Sequence, residues 1–259
     1  MIKLEKHEMN KIEALFKDIE ETMIWSCLQG HMGNAWADSN EDPTCAQILT
    51  GDFCCYAGDT SSYESRLLVG NIPAFFSKPN ILMIPQNKFW GELIEDVHSN
   101  RFKKFNRYAT KKEKDVFDIN KLKGNIDKLP NEFELVPINE RLYNQSIEEE
   151  WSYDLCSQFL SYSDYSQRGI GFGILHSGKL VSGASSYTIY DEGIEIEIDT
   201  RKEYRRMGLA KICASRLIIE CLNRGLYPSW DAANKESLAL AEKLGYHFDK
   251  EYAAYIVEC

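Results

Sequence analysis

No stretch of this 259-residue chain stays apolar for more than six residues, the longest being Tyr252–Val257. A helix crossing a bilayer needs about 20, so no membrane partner is expected. The opening residues Met1–Glu8 alternate charged and apolar side chains and lack the apolar core of a secretory leader, so a cytoplasmic location is expected. The eight cysteines include no Cys-x-x-Cys pair and no Cys/His grouping with zinc spacing. A zinc ribbon and a paired-cysteine redox centre are thereby excluded, and no metal is expected. Seven Pro and 16 Gly are too few for a collagen-like or disordered chain. Positive charge is also short: 30 Lys and Arg face 40 Asp and Glu, a net charge of -10. The deficit lies mainly in residues 131–259, where 13 basic residues against 21 acidic leave -8. That balance argues against broad nucleic-acid binding and suits a cationic small molecule.

What is present is an ordinary folded composition, 44% hydrophobic and 27% charged, long enough for two units of common domain size. Pro130 stops a polar helix expected over 117–128, and a strand begins at Phe133. The expected division is therefore 1–128 and 129–259. In the first part Ile12, Leu15, Phe16, Ile19 and Met23 recur at helical spacing. Residues 30–43 read as a loop, 53–57 and 81–84 as short buried strands, and 87–99 and 101–114 as helices. The second of these helices carries basic and aromatic residues together: Arg101, Phe102, Lys103, Lys104, Phe105, Arg107 and Tyr108. Such a mixture can track a nucleic-acid backbone. Phe102, Phe105 and Ala109 nonetheless have the i, i+3, i+7 spacing of a packed helix with solvated lysines, so no nucleic-acid partner is expected. No chemistry is legible in this part.

In the second part a strand at 133–137 and a mostly helical 140–160 precede a hairpin turning at Ser177-Gly178-Lys179. Ile194, Ile196 and Ile198 then alternate with Glu195, Glu197 and Asp199, a strand with one acidic face. Helix, strand, helix and strand follow over about 206–224, 226–231, 235–244 and 252–257. The pattern implies the α/β (α+β) class: a mixed, mostly antiparallel sheet with helices on both faces, preceded by a smaller α/β N-terminal domain.

Between the acidic strand and the long helix lies Arg205-Arg206-Met207-Gly208-Leu209-Ala210. A strand, a tight glycine turn and a helix N-terminus together form a phosphate cradle: free amides point outward and the helix dipole is positive there. The stretch Arg168–Gly173 matches the same Arg-x-x-Gly-x-Gly/Ala pattern. It leaves a helix and enters a strand, however, where its amides are used in sheet pairing.

Residues 194–210, with Asn234 and Ala239-Leu240-Ala241-Glu242-Lys243-Leu244-Gly245-Tyr246, resemble the core of the GCN5-related N-acetyltransferase (GNAT) superfamily. The segment Trp230-Asp231-Ala232-Ala233-Asn234 further resembles the zwittermicin A resistance-type branch. The resemblance implies an acetyl-CoA-dependent N-acetyltransferase whose acceptor is a small-molecule amine. It implies that the amides of Arg205, Arg206, Met207, Gly208, Leu209 and Ala210 hold the pyrophosphate and that the backbone of Ile198, Asp199 and Thr200 pairs with the pantetheine arm. Asn234 would touch the cofactor, or cap the helix that follows; Ser237 has a weaker claim. A non-catalytic acyl-CoA-binding module is the alternative. The first part could be a degenerate second copy of the same fold.

An amine with a lysine-like pKa of about 10.4 must lose a proton before it attacks a thioester, at a cost of about 4–5 kcal/mol near pH 7. A carboxylate that takes this proton is useful. The resemblance implies a Glu on the acidic strand, Glu195 ahead of Glu197; a merely solvated sheet face is the plainer reading. The superfamily commonly has a Tyr between the Leu and Glu of its Leu-x-Glu-Lys-Leu-Gly motif, to protonate the leaving sulfur. Here that residue is Ala241, with Tyr246 as one substitute.

Overall fold

The computed structural model describes residues 1–259. In chain order the elements are β1 (Ile2–Leu4), α1 (Glu13–Phe16), α2 (Thr22–Leu28), β2 (Asn34–Ala37), β3 (Cys45–Thr50), β4 (Phe53–Gly58), α3 (Tyr63–Val69), β5 (Asn80–Pro85), α4 (Lys88–Val97) and β6 (Phe102–Thr110). There follow α5 (Ile119–Ile126), β7 (Phe133–Pro137), α6 (Glu140–Glu148), α7 (Tyr162–Arg168), β8 (Gly171–His176), β9 (Lys179–Tyr190) and β10 (Gly193–Thr200). The chain ends with α8 (Leu209–Asn223), β11 (Tyr227–Ser229), β12 (Asp231–Ala232), α9 (Lys235–Leu244) and β13 (Phe248–Glu258). No helix is long and apolar enough to cross a membrane.

Two compact units emerge, divided elsewhere than at 128/129. One comprises Met1–Arg107 with Glu251–Cys259, the other Tyr108–Lys250. The physical reason is β13, whose last residues pair with β5, Tyr255 opposite Met83 and Val257 opposite Ile81.

In the first unit the strands run β1-β2-β3-β4-β5-β13-β6. Strands β1 to β4 are antiparallel neighbours, and β5 is parallel to β4. Both faces of this sheet are covered. Ala35, Ala37, Ile48, Cys55, Leu82 and Ile84 pack into one apolar cluster, which includes Ile12, Phe16 and Ile24 from the N-terminal helical segments. Their sequence neighbours Trp36, Leu49, Cys54, Ile81 and Met83 pack into another with Leu68 of α3 and Trp90 and Ile94 of α4. Alternate residues point to opposite faces of a strand, so strands that are apolar throughout fit a sheet sandwiched in this way.

Three expectations for this unit change. Residues 101–114 hold strand β6 rather than a helix. Its Phe102 joins one cluster and its Phe105 the other; three residues apart is the same face of a helix but opposite faces of a strand. Residues 30–43 contain β2. The helical spacing over residues 12–23 corresponds to two separate short helices, α1 and the start of α2, after a 3-10 turn at Lys6–Lys11.

The second unit repeats the plan. Strands β7, β8, β9 and β10 are antiparallel neighbours and β11 is parallel to β10, with α8 between them. In both units, then, four antiparallel strands lead through a helix to a parallel fifth strand and on to a second helix. The second unit's apolar cluster gathers Ala214 and Ile218 of α8, Ala241 and Leu244 of α9, and Trp230 and Tyr246. The mostly helical 140–160 resolves into α6 and a 3-10 turn at Glu150–Leu155.

Candidate active site

Helices α3 to α7 and α9 each begin with a side-chain cap, from Ser62, Asn87, Asp118, Asn139, Ser161 and Asn234 in turn. Helix α8 does not. Its N-cap is Gly208, in the left-handed conformation at φ 82°, and no side chain bonds its first amides. Arg206 is also left-handed, at φ 65°, which costs a non-glycine residue about 1 kcal/mol or more. Alternating backbone signs of this kind turn successive amides toward one side and make an anion-binding concavity. Arg205, Arg206, Met207 and Gly208 are exposed, Ala210 is half-buried, and only the Leu209 side chain is anchored in the core. Behind the turn, the Arg205 Nε–H donates to the Thr200 carbonyl at 3.1 Å, and Tyr204 meets His176 Nδ1 at 2.9 Å. The matching stretch Arg168–Gly173 does run from α7 into β8, with Gly171 and Gly173 packed against side chains.

Beside this turn the sheet forks. Strand β11 pairs with β10 only through Tyr227–Ser229 opposite Gly193–Glu195. After Trp230 the chain turns to β12, which pairs instead with Tyr108 and Ala109 of β6. From Ile196 to Thr200, β10 keeps β9 on one side and has no ladder partner on the other. A register irregularity between Glu195 and Ile196 marks the start of this open edge. Ile198, Asp199 and Thr200 lie along it, next to the amide turn.

The three carboxylates of β10 have different surroundings. Glu195 is 5% exposed, and its Oε1 accepts the backbone N–H of Asp231 at 2.7 Å. Glu197 and Asp199 are half-buried. Asp199 Oδ1 accepts the Thr200 N–H at 2.9 Å and lies 3.9 Å from the Arg205 guanidinium. Burial raises the pKa of Asp199, and the charge of Asp154 adds to the rise, against opposing pulls from Thr200 and Arg205. The 3-10 turn Glu150–Leu155, which carries Asp154, packs against β9 and β10. Nearby, Arg201 pairs with Glu149 and lies over the Trp151 ring.

Asn234 and Ser237 have structural partners. The Asn234 Oδ1 accepts the Ser237 N–H at 2.9 Å, and Ser237 Oγ accepts the indole N–H of Trp230 at 3.1 Å. Ala241 is fully buried in the apolar cluster. Tyr246 is 1% exposed and donates its hydroxyl proton to the Pro228 carbonyl at 2.5 Å; burial holds its pKa well above the ordinary value. Nothing in the sequence marks Tyr190 and Ser229, yet they meet at the fork, hydroxyl to hydroxyl at 2.9 Å. Seven of the eight cysteines are buried, and burial pushes the Cys213 thiol up to about 12 and the Cys156 thiol up to about 11. No group of three His, Cys, Asp or Glu residues is gathered to hold a metal ion.

A family model for GNAT acetyltransferases matches residues 13–255. A GCN5-related N-acetyltransferase-like protein from Streptococcus suis superposes with a TM-score of 0.89 at 44% identity, over 97% of this chain and 99% of that one. An uncharacterized N-acetyltransferase of Bacillus subtilis, YdfB, is 40% identical over 97 residues, 37% of this chain and 37% of its own length. A ribosomal protein bS18-alanine N-acetyltransferase of Escherichia coli is 30% identical over 88 residues, 33% of this chain and 60% of its own. The chain thus spans less than two thirds of either curated relative. A tandem GNAT protein from the clavulanic acid biosynthesis pathway shares the fold, at a TM-score of 0.56 and 11% identity over 99% of this chain and 97% of that one. With the matched residues running nearly end to end, the chain belongs to the GNAT acetyltransferase family.

Proposed function

We propose that the protein transfers the acetyl group of acetyl-CoA to a primary amine of a small cationic molecule, in the unit formed by residues 108–250. The observation that carries this reading is the open edge of β10 beside the uncapped start of α8. Use of acetyl-CoA is typical of the family, and the residues fit its chemistry. The amides from Arg206 to Ala210, with the Arg205 and Arg206 charges, suit a pyrophosphate. The backbone of Ile198 to Thr200 suits an extended amide-bearing arm added as a pseudo-strand. Asn234 and Ser237, at the start of α9, would act through backbone placement, since their side chains cap that helix and hold Trp230.

In the reaction the amine nitrogen bonds to the acetyl carbon, the carbon–sulfur bond breaks, and the amine's proton passes to a carboxylate or a water it holds. Glu197 is the better candidate for that carboxylate, because Glu195 is already engaged by the Asp231 amide. Direct attack is favoured over a cysteine intermediate, since the buried thiols are held protonated. Asp154, Glu197 and Asp199 favour a cationic acceptor, and membership of the zwittermicin A resistance-type branch is part of the same proposal.

With Ala241 in the general-acid position and Tyr246 committed to Pro228, neither position supplies a proton, and the thiolate can leave without one. A thiol pKa of about 8.5 makes this a cost of roughly 1.4 kcal/mol near pH 7.5. The same Ala241 supports the second reading, an acyl-CoA-binding module without catalysis. Titration calorimetry with acetyl-CoA, followed by thiol release over a panel of amines, separates the two. Tight binding with no turnover on any amine favours the module; no binding defeats both.

A further inference from the structure

We infer that Glu195 is a positioning residue: its carboxylate is the strut that holds the β10–β11 fork open to the width of the pantetheine arm. The inference rests on the acetyltransferase reading and assigns Glu195 a task other than proton transfer.

The register shows what the side chain replaces. Glu195 faces Ser229 in the last rung of the parallel ladder. Were the ladder to continue, Asp231 would stand opposite Glu197, two residues farther along each strand. Asp231 has instead moved to β12, opposite Ala109. Its backbone N–H therefore has no β10 carbonyl to meet, and a buried amide without an acceptor is strongly disfavoured. The Glu195 Oε1 supplies the acceptor at 2.7 Å. A side chain rooted in the last paired residue thus reaches across the gap and takes the place of the missing rung.

The surroundings favour a fixed bridge over a proton carrier. Glu195 is 5% exposed, and its charge is felt by the hydroxyls of Tyr190, Tyr227 and Tyr246, which burial, aided by that charge, keeps protonated. The far side of the fork is hydrogen-bonded in place as well. The Trp230 carbonyl accepts the Thr110 hydroxyl at 2.7 Å, and the Trp230 indole is held by Ser237. With both walls anchored, the Glu195 carboxylate spans the gap and sets its width.

A strut and a base respond oppositely to the same pair of substitutions. Glu195→Gln keeps the length and the accepting oxygen but cannot take a proton. Glu195→Asp keeps the charge but is shorter by one carbon–carbon bond, about 1.5 Å, too much for a 2.7 Å contact. Acetyl-CoA affinity by calorimetry and kcat/KM against pH are measured for both variants and wild type. The strut predicts that Glu195→Gln keeps its affinity within about threefold and retains the acidic limb of the profile, while Glu195→Asp binds at least about tenfold more weakly. Loss of that limb in Glu195→Gln, or wild-type affinity in Glu195→Asp, would overturn the inference. Should Glu195→Asp not fold, the Glu195→Gln arm decides alone: retained affinity and limb support the strut, and their loss refutes it. If wild type binds no acetyl-CoA, the acetyltransferase reading fails. The strut is then judged by hydrogen exchange of the Asp231 amide, faster in Glu195→Asp than in Glu195→Gln if it stands and equal in both if it does not.

Discussion

Gly208→Glu is the sharpest perturbation of the amide turn, because its effects on folding and on binding separate. A Cβ built at Gly208 has no heavy atom within 4 Å, so the added carbon enters open space. What remains is the left-handed backbone at φ 82°, worth about 1–2 kcal/mol for a non-glycine residue, or a fall of roughly 2–8 °C in Tm for a chain of this size. Binding is weakened by a separate effect, the added charge. A carboxylate placed about 6 Å from a phosphate repels it by about 0.7 kcal/mol in water and about 3 kcal/mol at the effective dielectric of a protein surface. Each pyrophosphate charge adds to this, so acetyl-CoA affinity should fall by at least about tenfold. Gly208→Ala carries the same backbone strain without the charge and should stay within about threefold of wild type. Calorimetry on the three proteins, with a thermal melt of each, makes the test. If Glu and Ala at this position weaken binding equally, or neither does, the pyrophosphate does not sit at this turn. Gly171, the glycine of the matching stretch, must behave differently. Its Cβ would stand 2.7 Å from Ser185 Oγ and 2.8 Å from Ile138 Cδ1, and overpacking of that kind costs about 1–3 kcal/mol of stability.

Glu197→Gln should lower turnover by at least about thirtyfold near pH 7 and much less near pH 9, where more of the amine is already neutral; an equal loss at both pH values would count against a base. Tyr246→Phe leaves the buried Pro228 carbonyl without its donor, so about 1–3 kcal/mol of stability goes while kcat stays within about tenfold of wild type, checked by melting and thiol release. Burial raises the pKa of Asp199, so its ionised form favours unfolding once the pH exceeds the unfolded value of 3.8. Asp199→Asn should therefore raise Tm near pH 7 and leave it unchanged near pH 3, and a rise at both would refute that cause. Charge reversal at Lys103, exposed on β6, should leave Tm and acetyl transfer nearly unchanged, and submicromolar nucleic-acid binding by wild type at about 150 mM salt would contradict the reading of this strand as structural.

The parts of the fold that could be read directly share one property: their patterns are local. The Ile194–Asp199 alternation, the Ser177–Lys179 turn and the step from acidic strand to glycine turn to helix each involve residues close in sequence, and each appears as β10, the β8–β9 hairpin and the start of α8. Residues 101–114 misled because Phe102, Phe105 and Ala109 satisfy a helical period. They belong instead to a strand with a neighbour on each side and a core on each face, an arrangement set by residues more than a hundred positions away. The fork was hidden for the same reason. Trp230-Asp231 looks like the end of one strand, and only the pull of Tyr108 and Ala109 shows that it is two. Glu195 and Glu197 are indistinguishable by spacing; the Asp231 amide is what tells them apart.

The placement of β13 between β5 and β6 bears on how the protein is made. During synthesis β5 and β6 leave the ribosome with the strand that joins them still unwritten. The intervening residues 108–250 take on the order of ten seconds to translate. Throughout that interval the apolar run Ile81–Ile84 presents an open edge, the kind of surface that captures other chains. The first unit is encoded first and completed last. Its assembly depends on residues 251–258, so a ribosome that stalls before them would leave a first unit with a gap through the middle of its sheet.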